Sequence, residues 1–285
     1  MVKAALRMAA RGGRTLLLMI FAAAGTILLV RFAPGFFSDS REMDAKYAQA
    51  ARAEIEAEQG RGSALEIAGS TFKGWMRGDF GQSRQFGVPV AEVVSGRVRV
   101  SALLLAKGIA GGWLLAVLGA LPASGLRRGG VVFGLPFTVL LAVPTAAMAT
   151  ACILSETGGP VAVLSLAIAA REFKFLRGVL GGAWHSPHLL QGRAQGLSSR
   201  ALFTMHILPN AAPRLWALCT LAIVTALGAL VPVEVIFNVP GVGQLAWSAV
   251  MNRDLPVLVA VSLLMACAVG LAGMLSAGSL TLEDV

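Results

Sequence analysis

His185 and His188 have the i,i+3 spacing of two ligands on one helix face, but no third ligand accompanies them, so no metal site is expected. Cys152, Cys219 and Cys267 lie far apart, each in or beside an apolar stretch. They suit buried small side chains rather than a disulfide or metal framework. The chain has no G-x-x-x-x-G-K-[ST] loop to cradle phosphates, and no H-E-x-x-H or G-x-S-x-G element. No catalytic residue and no bound cofactor are expected. The groups left to consider are charges in or beside apolar surroundings. Lys107 stands inside an apolar stretch, and Arg171, Glu172, Lys174 and Arg177 interrupt another. Glu234 follows a third, and Asn252, Arg253 and Asp254 precede a fourth.

The elements that carry these charges follow from composition. The 285 residues are 56% hydrophobic and 14% charged, with a mean hydropathy of +0.74, too little charge to cover a soluble domain of this size. The apolar residues form blocks at Thr15–Phe32, Val100–Leu121, Val131–Leu154, Val161–Leu180, Ala212–Val231 and Pro256–Ala277. Each is close to the roughly 20 residues that span a hydrocarbon core. Backbone groups in lipid must be paired within the segment, so the blocks are read as helices. The expected fold is all-α: a polytopic bundle of six transmembrane helices.

The net charge of +9 reports orientation rather than nucleic-acid binding. Lys3, Arg7, Arg11 and Arg14 precede the first block, and Arg127 and Arg128 follow the second. Arg171–Arg214 holds six bases and one acid, whereas Asp39–Glu92 holds nine acids and seven bases. Basic loops stay in the cytoplasm, so both termini, the Arg127 loop and the Arg171–Arg214 region are expected inside. No small-residue cleavage site follows the first block, and an uncleaved first span is expected.

Three parts follow: residues 1–33, a cytoplasmic N-terminus with the first span; residues 34–99, an external polar segment; and residues 100–285, the membrane core with a cytoplasmic loop at 181–213. In the external segment, Ser38 or Asp39 caps a helix running to about Gln59, and Leu65–Met76 forms an amphipathic stretch. Gly108-x3-Gly112 lets the second span approach a neighbour closely. Pro136 and Pro144 are expected to kink the third. Lys107 either lines an internal path or snorkels outward and pairs between helices. The Arg171, Glu172 and Lys174 group lines the inner end of such a path or forms a structural cluster. Pro240-Gly241-x-Gly243 reads as turn geometry rather than a ligand site. In the cytoplasmic loop, Ser186-Pro187 starts a short helix over His188–Ala194 that stops near Gly196. A second piece, Ser198–His206, runs up to Pro209. Two short helices at the cytoplasmic face suit a docking surface, or else a solvated loop.

Within that loop, GRAQGLSSRALFTMHILPNAAP resembles the cytoplasmic signature of ABC-importer permeases, with Gly196 followed by Ile207-Leu208-Pro209. Three more stretches are similar to the oligopeptide/dipeptide branch: Trp75–Val98, Phe133–Phe137 and Pro232–Leu258, all in order over roughly residues 10–275. The resemblance implies a type I importer permease of the bacterial inner membrane, multi-pass, moving peptides by alternating access. It implies that ATP is used by partners: two cytoplasmic ATPase subunits, beside a second permease and an extracytoplasmic substrate-binding protein. Lipid surrounds the chain, and no nucleic acid is involved. The coupling element falls on Pro187, His188, Arg193, Ala194, Gly196, Leu197, Ser198, Leu208 and Pro209. The external mouth and path fall on Glu234, Pro240, Gly241, Gly243, Asn252, Arg253, Asp254 and Lys107.

The chain departs from the family in places. The Glu-Ala-Ala positions of the signature are Leu190, Gln191 and Gly192, the basic residue before the glycine is Gln195, and the tail AGSLTLEDV is acidic. Two alternatives therefore stand beside peptide import: a nickel chelate or other small solute as cargo, or a non-transporting assembly or regulatory subunit of the same fold. An intramembrane enzyme is disfavoured, because the spans hold no Asp and all three His lie in the loop.

Overall fold

The computed structural model describes residues 13, 17, 21, 25, 74, 79–125, 132–184, 187–252 and 254–279. The expected external helix to Gln59 and most of the Leu65–Met76 stretch lie outside the described residues. Every named element is a helix: α1 Val90–Gly125, α2 Gly134–Ala142, α3 Thr145–Leu154, α4 Pro160–Trp184 and α5 Pro187–Ala194, then α6 Ser199–Leu202, a π-helical turn Phe203–Ile207, α7 Leu208–Ile236, α8 Val242–Met251 and α9 Leu255–Ser279. Val90–Ala123, Ser199–Ile236 and Leu255–Met274 are long and apolar enough to cross a membrane, and α2 with α3 passes as a bent pair. The helix α4 has 25 residues, long enough for a span, but its four charges leave it outside the apolar set, so the described residues hold three such helices and one bent pair where six spans were expected.

Contacts divide the chain into two units. The first holds Met1–Gly12, Ser101–Val239 and Val269–Val285; the second holds Gly13–Val100 and Pro240–Ala268. Within the first, α4 is the hub, because small residues on α1 let its backbone come close. A Cβ placed on Gly108 would stand 2.5 Å from Leu164, one on Gly111 2.5 Å from the Ser165 Oγ, and one on Gly112 2.7 Å from Ile168. At Gly119 it would meet Phe137 at 2.6 Å. The close approach expected of Gly108 and Gly112 is thus made to α4. The contact numbers rise together along both helices, so α1 and α4 run parallel.

That parallel alignment fixes what lies between them. The chain leaves the end of α1 and must return to the level of its start before α4 begins, so α2 and α3 together make a net crossing. They do so with a 98° bend. Val143 is extended (ψ 124°) before Pro144, as a residue preceding proline tends to be. The proline also lacks the N–H that would continue α2. Pro136 behaves differently from the sequence expectation. It sits in the first turn of α2, where N–H groups have no intrahelical partner anyway, and it introduces no kink. The Phe137 ring stacks on Phe173 of α4 at 4.2 Å and 7°. Deeper, Ala116, Ala120, Phe173, Leu176, Leu189, Leu202 and Leu218 form one buried cluster.

In the second unit, Val90, Val242, Leu245, Ala249, Val257 and Val261 form a separate buried cluster. A tight turn at residues 81–88 uses positive φ at Gly81 and Gly87 and closes through Ser83 N–H to the Val88 carbonyl at 2.9 Å.

Candidate functional site

The loop at 181–213, expected on the cytoplasmic side, is built around a glycine-terminated helix. In α5, the Gly196 N–H donates to the Arg193 carbonyl (3.0 Å) and the Leu197 N–H to the Gly192 carbonyl (3.2 Å). This pair of bonds is the Schellman arrangement, which needs a left-handed residue just past the helix. Gly196 supplies it, with φ +75°. Nothing lies within 4 Å of where its Cβ would be, so backbone conformation and not space selects glycine here. The expected stop near Gly196 is found.

One face of α5 is anchored. Leu189 is buried in the cluster below, and a Cβ on Gly192 would meet Leu202 at 2.7 Å, with Leu197 and His206 at 3.4 Å. The departure from alanine at Gly192 therefore has a packing reason: Leu202 occupies the methyl's place. Arg193, Ala194, Gln195, Gly196, Ser198 and Ser199 stay exposed. The Arg193 guanidinium reaches back to the Trp184 carbonyl at 3.5 Å. Ser198 caps α6, its Oγ accepting from the Ala201 N–H at 3.3 Å. Pro187 and His188 begin α5; Ser186 lies outside the described residues.

The second helical piece does not stop at Pro209. Ser199–Ile236 is one continuous helix, and the Phe203–Ile207 π turn absorbs the proline. The Leu208 N–H reaches five residues back to the Phe203 carbonyl. The extra residue in that turn relieves the clash a Pro209 ring would make with the carbonyl four residues earlier. The Ile207-Leu208-Pro209 element thus lies within one helix that runs from the loop into a candidate span, with Ile207 buried.

The residues expected at the external mouth divide between the two units. In the first, Glu234 is fully buried near the end of α7 and accepts from the Ser101 Oγ at 2.6 Å. Its backbone carbonyl takes the Val239 N–H at 2.8 Å in a second Schellman cap, with Asn238 at φ +51°. Lys107 is exposed on the α1 face that also shows Leu103, Leu114 and Leu118.

In the second unit, Asp254 is fully buried and precedes α9. Its carboxylate accepts from the Ser83 Oγ (2.5 Å), the Gln85 N–H (3.0 Å) and the Val257 N–H (3.4 Å). It caps a span and pins the 81–88 turn at once. Asn252 donates to the Ser248 carbonyl at 2.9 Å, and Ser248 donates to Gln85. Arg253 lies outside the described residues. Pro240 is exposed, while Gly241 is the N-cap of α8 and Gly243 is buried in its first turn. Sequence reasoning missed α8 itself. Its alternation of Val242, Leu245 and Ala249 inward with Trp247 and Val250 outward was a legible helical period.

Residues 108–282 match the family of binding-protein-dependent transport system inner membrane components. The chain is 27% identical over 210 residues to a probable peptide ABC transporter permease protein of Sinorhizobium fredii, covering 64% of this chain and 67% of that protein. It is 28% identical over 213 residues to a dipeptide transport system permease protein of Lactococcus lactis, covering 66% and 69%. It is 34% identical over 107 residues to a metal-staphylopine import system permease protein of Staphylococcus aureus, covering 38% of this chain and only 34% of that relative. With a helical body and apolar spans in the matched region, this chain belongs to the inner membrane components of binding-protein-dependent transport systems, as a multi-pass permease component of the ABC type.

Proposed function

We propose that the chain is one of two permease subunits of an ATP-driven importer, carrying peptides or a chemically related small solute inward by alternating access. The partners are a second permease, two cytoplasmic ATPase subunits that use the ATP, and an extracytoplasmic substrate-binding protein. Both termini face the cytoplasm, and this chain binds no cofactor or metal. Peptides are the first choice of cargo because two of the relatives are named for them; the metal-chelate relative makes such a complex the second.

The observation that carries this reading is the α5 device. A largely exposed rim, Arg193 to Ser199, is held by a buried Leu189 and leads directly into a 38-residue helix that contains the π turn. A push on the rim is therefore delivered to a span rather than lost in a loop. Ligands and partners shift such an equilibrium only by binding the two states unequally.

The test is purification of the tagged chain from its native membrane, followed by ATP-dependent uptake in vesicles. Recovery of an ATPase chain and a second permease, with uptake that needs ATP, supports the reading. The changed signature at Leu190, Gln191 and Gly192 favours one other reading, a non-transporting subunit. Uptake that persists when this chain is deleted would establish that alternative.

A further inference from the structure

In the second unit, α8 is an apolar helix without a charged side chain. One of its faces is accounted for: Val242, Leu245 and Ala249 pack into the cluster with Val90, Val257 and Val261. The opposite face carries Trp247, Val250 and Met251, spaced i, i+3 and i+4, and these remain 48%, 45% and 57% exposed. The turn tied to α8 by the Ser248–Gln85 hydrogen bond adds exposed Phe86 and Val88. A helix that meets water shows polar and charged side chains on its outer face. This one shows an indole and two apolar chains.

Two connections fix where α8 lies. At its C-terminal end, only Asn252, Arg253 and Asp254 separate it from Leu255, the first residue of an apolar span. In its first turn, Gln244 accepts from the Arg97 guanidinium at 3.1 Å. Arg97 and Arg99 are the last charges on α1 before the apolar block Val100–Leu121, in which Lys107 is the only ionised group. Each end of α8 is thus held where a helix passes from polar surroundings into hydrocarbon. Its ten residues cover about 15 Å, too little to join opposite faces of a core roughly 30 Å thick. Both points therefore belong to one face of the membrane, and α8 lies along it.

The side chains at that level fit the assignment. The Arg97 guanidinium also stands over the Phe86 ring, 5.9 Å from its centre. Arginine, phenylalanine and tryptophan at one depth match the headgroup region, where amphipathic rings and long basic chains settle.

We infer that α8 is an interfacial helix whose Trp247, Val250 and Met251 face is covered by the headgroup and upper acyl region of the bilayer. This needs only that α1 and α9 are spans; that the leaflet is the external one rests on the importer topology proposed above.

The test uses the chain with its copurifying partners, free of native cysteines, in phosphatidylcholine nanodiscs. A nitroxide is placed singly at Trp247→Cys, Val250→Cys and Met251→Cys, and at the exposed Glu92→Cys as an aqueous reference. Power-saturation EPR reads collisions with oxygen, which concentrates in hydrocarbon, and with a neutral nickel chelate, which stays in water. The expected result at all three positions is nickel access at least threefold below that of Glu92→Cys and oxygen access above it, a depth of roughly 5–10 Å. Nickel access equal to that of Glu92→Cys overturns the inference, because the face would be open to water. Low access to both probes overturns it too, because a second permease or a binding protein would then cover the face. Trp247→Phe gives a second reading in the chain with its native cysteines. In lipid brominated near the headgroup, the fluorescence that the wild type has and Trp247→Phe lacks should be quenched at least twofold; if it is unquenched, lipid does not cover Trp247. A chain that copurifies with no ATPase sinks the importer reading and leaves this one standing.

Discussion

A glycine at φ +75° with open space around it is a conformational requirement, and that makes Gly196 a sharp residue-scale test. A left-handed backbone costs an ordinary residue about 1–2 kcal/mol, while asparagine tolerates it. Gly196→Asn is therefore expected to keep near-normal ATP-dependent uptake, and Gly196→Val to lose it at least tenfold with assembly intact, as measured in vesicles. Equal loss in both variants would point to a side-chain contact instead. Asp254 offers a test of another kind. Asp254→Ala strands the buried Ser83 hydroxyl and Val257 N–H, which costs about 1–3 kcal/mol, and frees the part-buried Gln85 N–H. Hydrogen exchange at those two amides should speed up by roughly ten- to a hundredfold, with the 81–88 turn becoming protease-sensitive.

Between elements, packing distances set what can change. A Cβ on Gly112 would stand 2.7 Å from Ile168 and 3.0 Å from the Ser165 carbonyl, and a backbone atom cannot be moved aside as a side-chain tip can. Gly112→Val is expected to destabilise the α1–α4 pair by about 1–3 kcal/mol through overpacking, read as a lower melting temperature of the purified complex. At Gly192 the obstacle is the Leu202 Cδ2, the end of a side chain. Gly192→Ala should therefore cost stability on its own and add little to the loss caused by Leu202→Ala when the two are combined, a coupling that a double-mutant cycle measures directly. If the two substitutions are simply additive, Leu202 is not what holds that position to glycine.

For the whole molecule, the parallel course of α1 and α4 is the strongest constraint on topology. It requires the bent pair α2–α3 to cross, and so it places the Thr157 turn and the Gln195 loop on opposite faces. In intact cells, a membrane-impermeant maleimide should label Thr157→Cys in a variant lacking the native cysteines. Gln195→Cys should react only after permeabilisation. The reverse pattern, Gln195→Cys labelled from outside and Thr157→Cys protected, would mean that α2 and α3 form a re-entrant hairpin, and the parallel packing of α1 on α4 would then be wrong.

Hydropathy alone determined the helical class and the blocks at Val100–Leu121, Ala212–Val231 and Pro256–Ala277, because lipid forces long uninterrupted apolar helices and leaves little else to choose. The close approach at Gly108 and Gly112 and the stop at Gly196 were legible too, since small residues and positive-φ glycines act locally. What sequence could not decide depends on partners distant along the chain. Pro136 and Pro144 look alike in a string of letters, but only one lies where an intrahelical N–H is needed. Pro209 reads as a helix end, yet a π turn carries the helix through it. Asp254 reads as a charge at an exposed rim, whereas Ser83 and Gln85, some 170 residues away in sequence, bury it as a cap. In sequence, Arg171, Glu172 and Lys174 read alike, as one group lining a path or forming a structural cluster. Helical geometry turns adjacent residues about 100° apart, and the tertiary packing sent Arg171 to the wall of a cleft and Glu172 into the core.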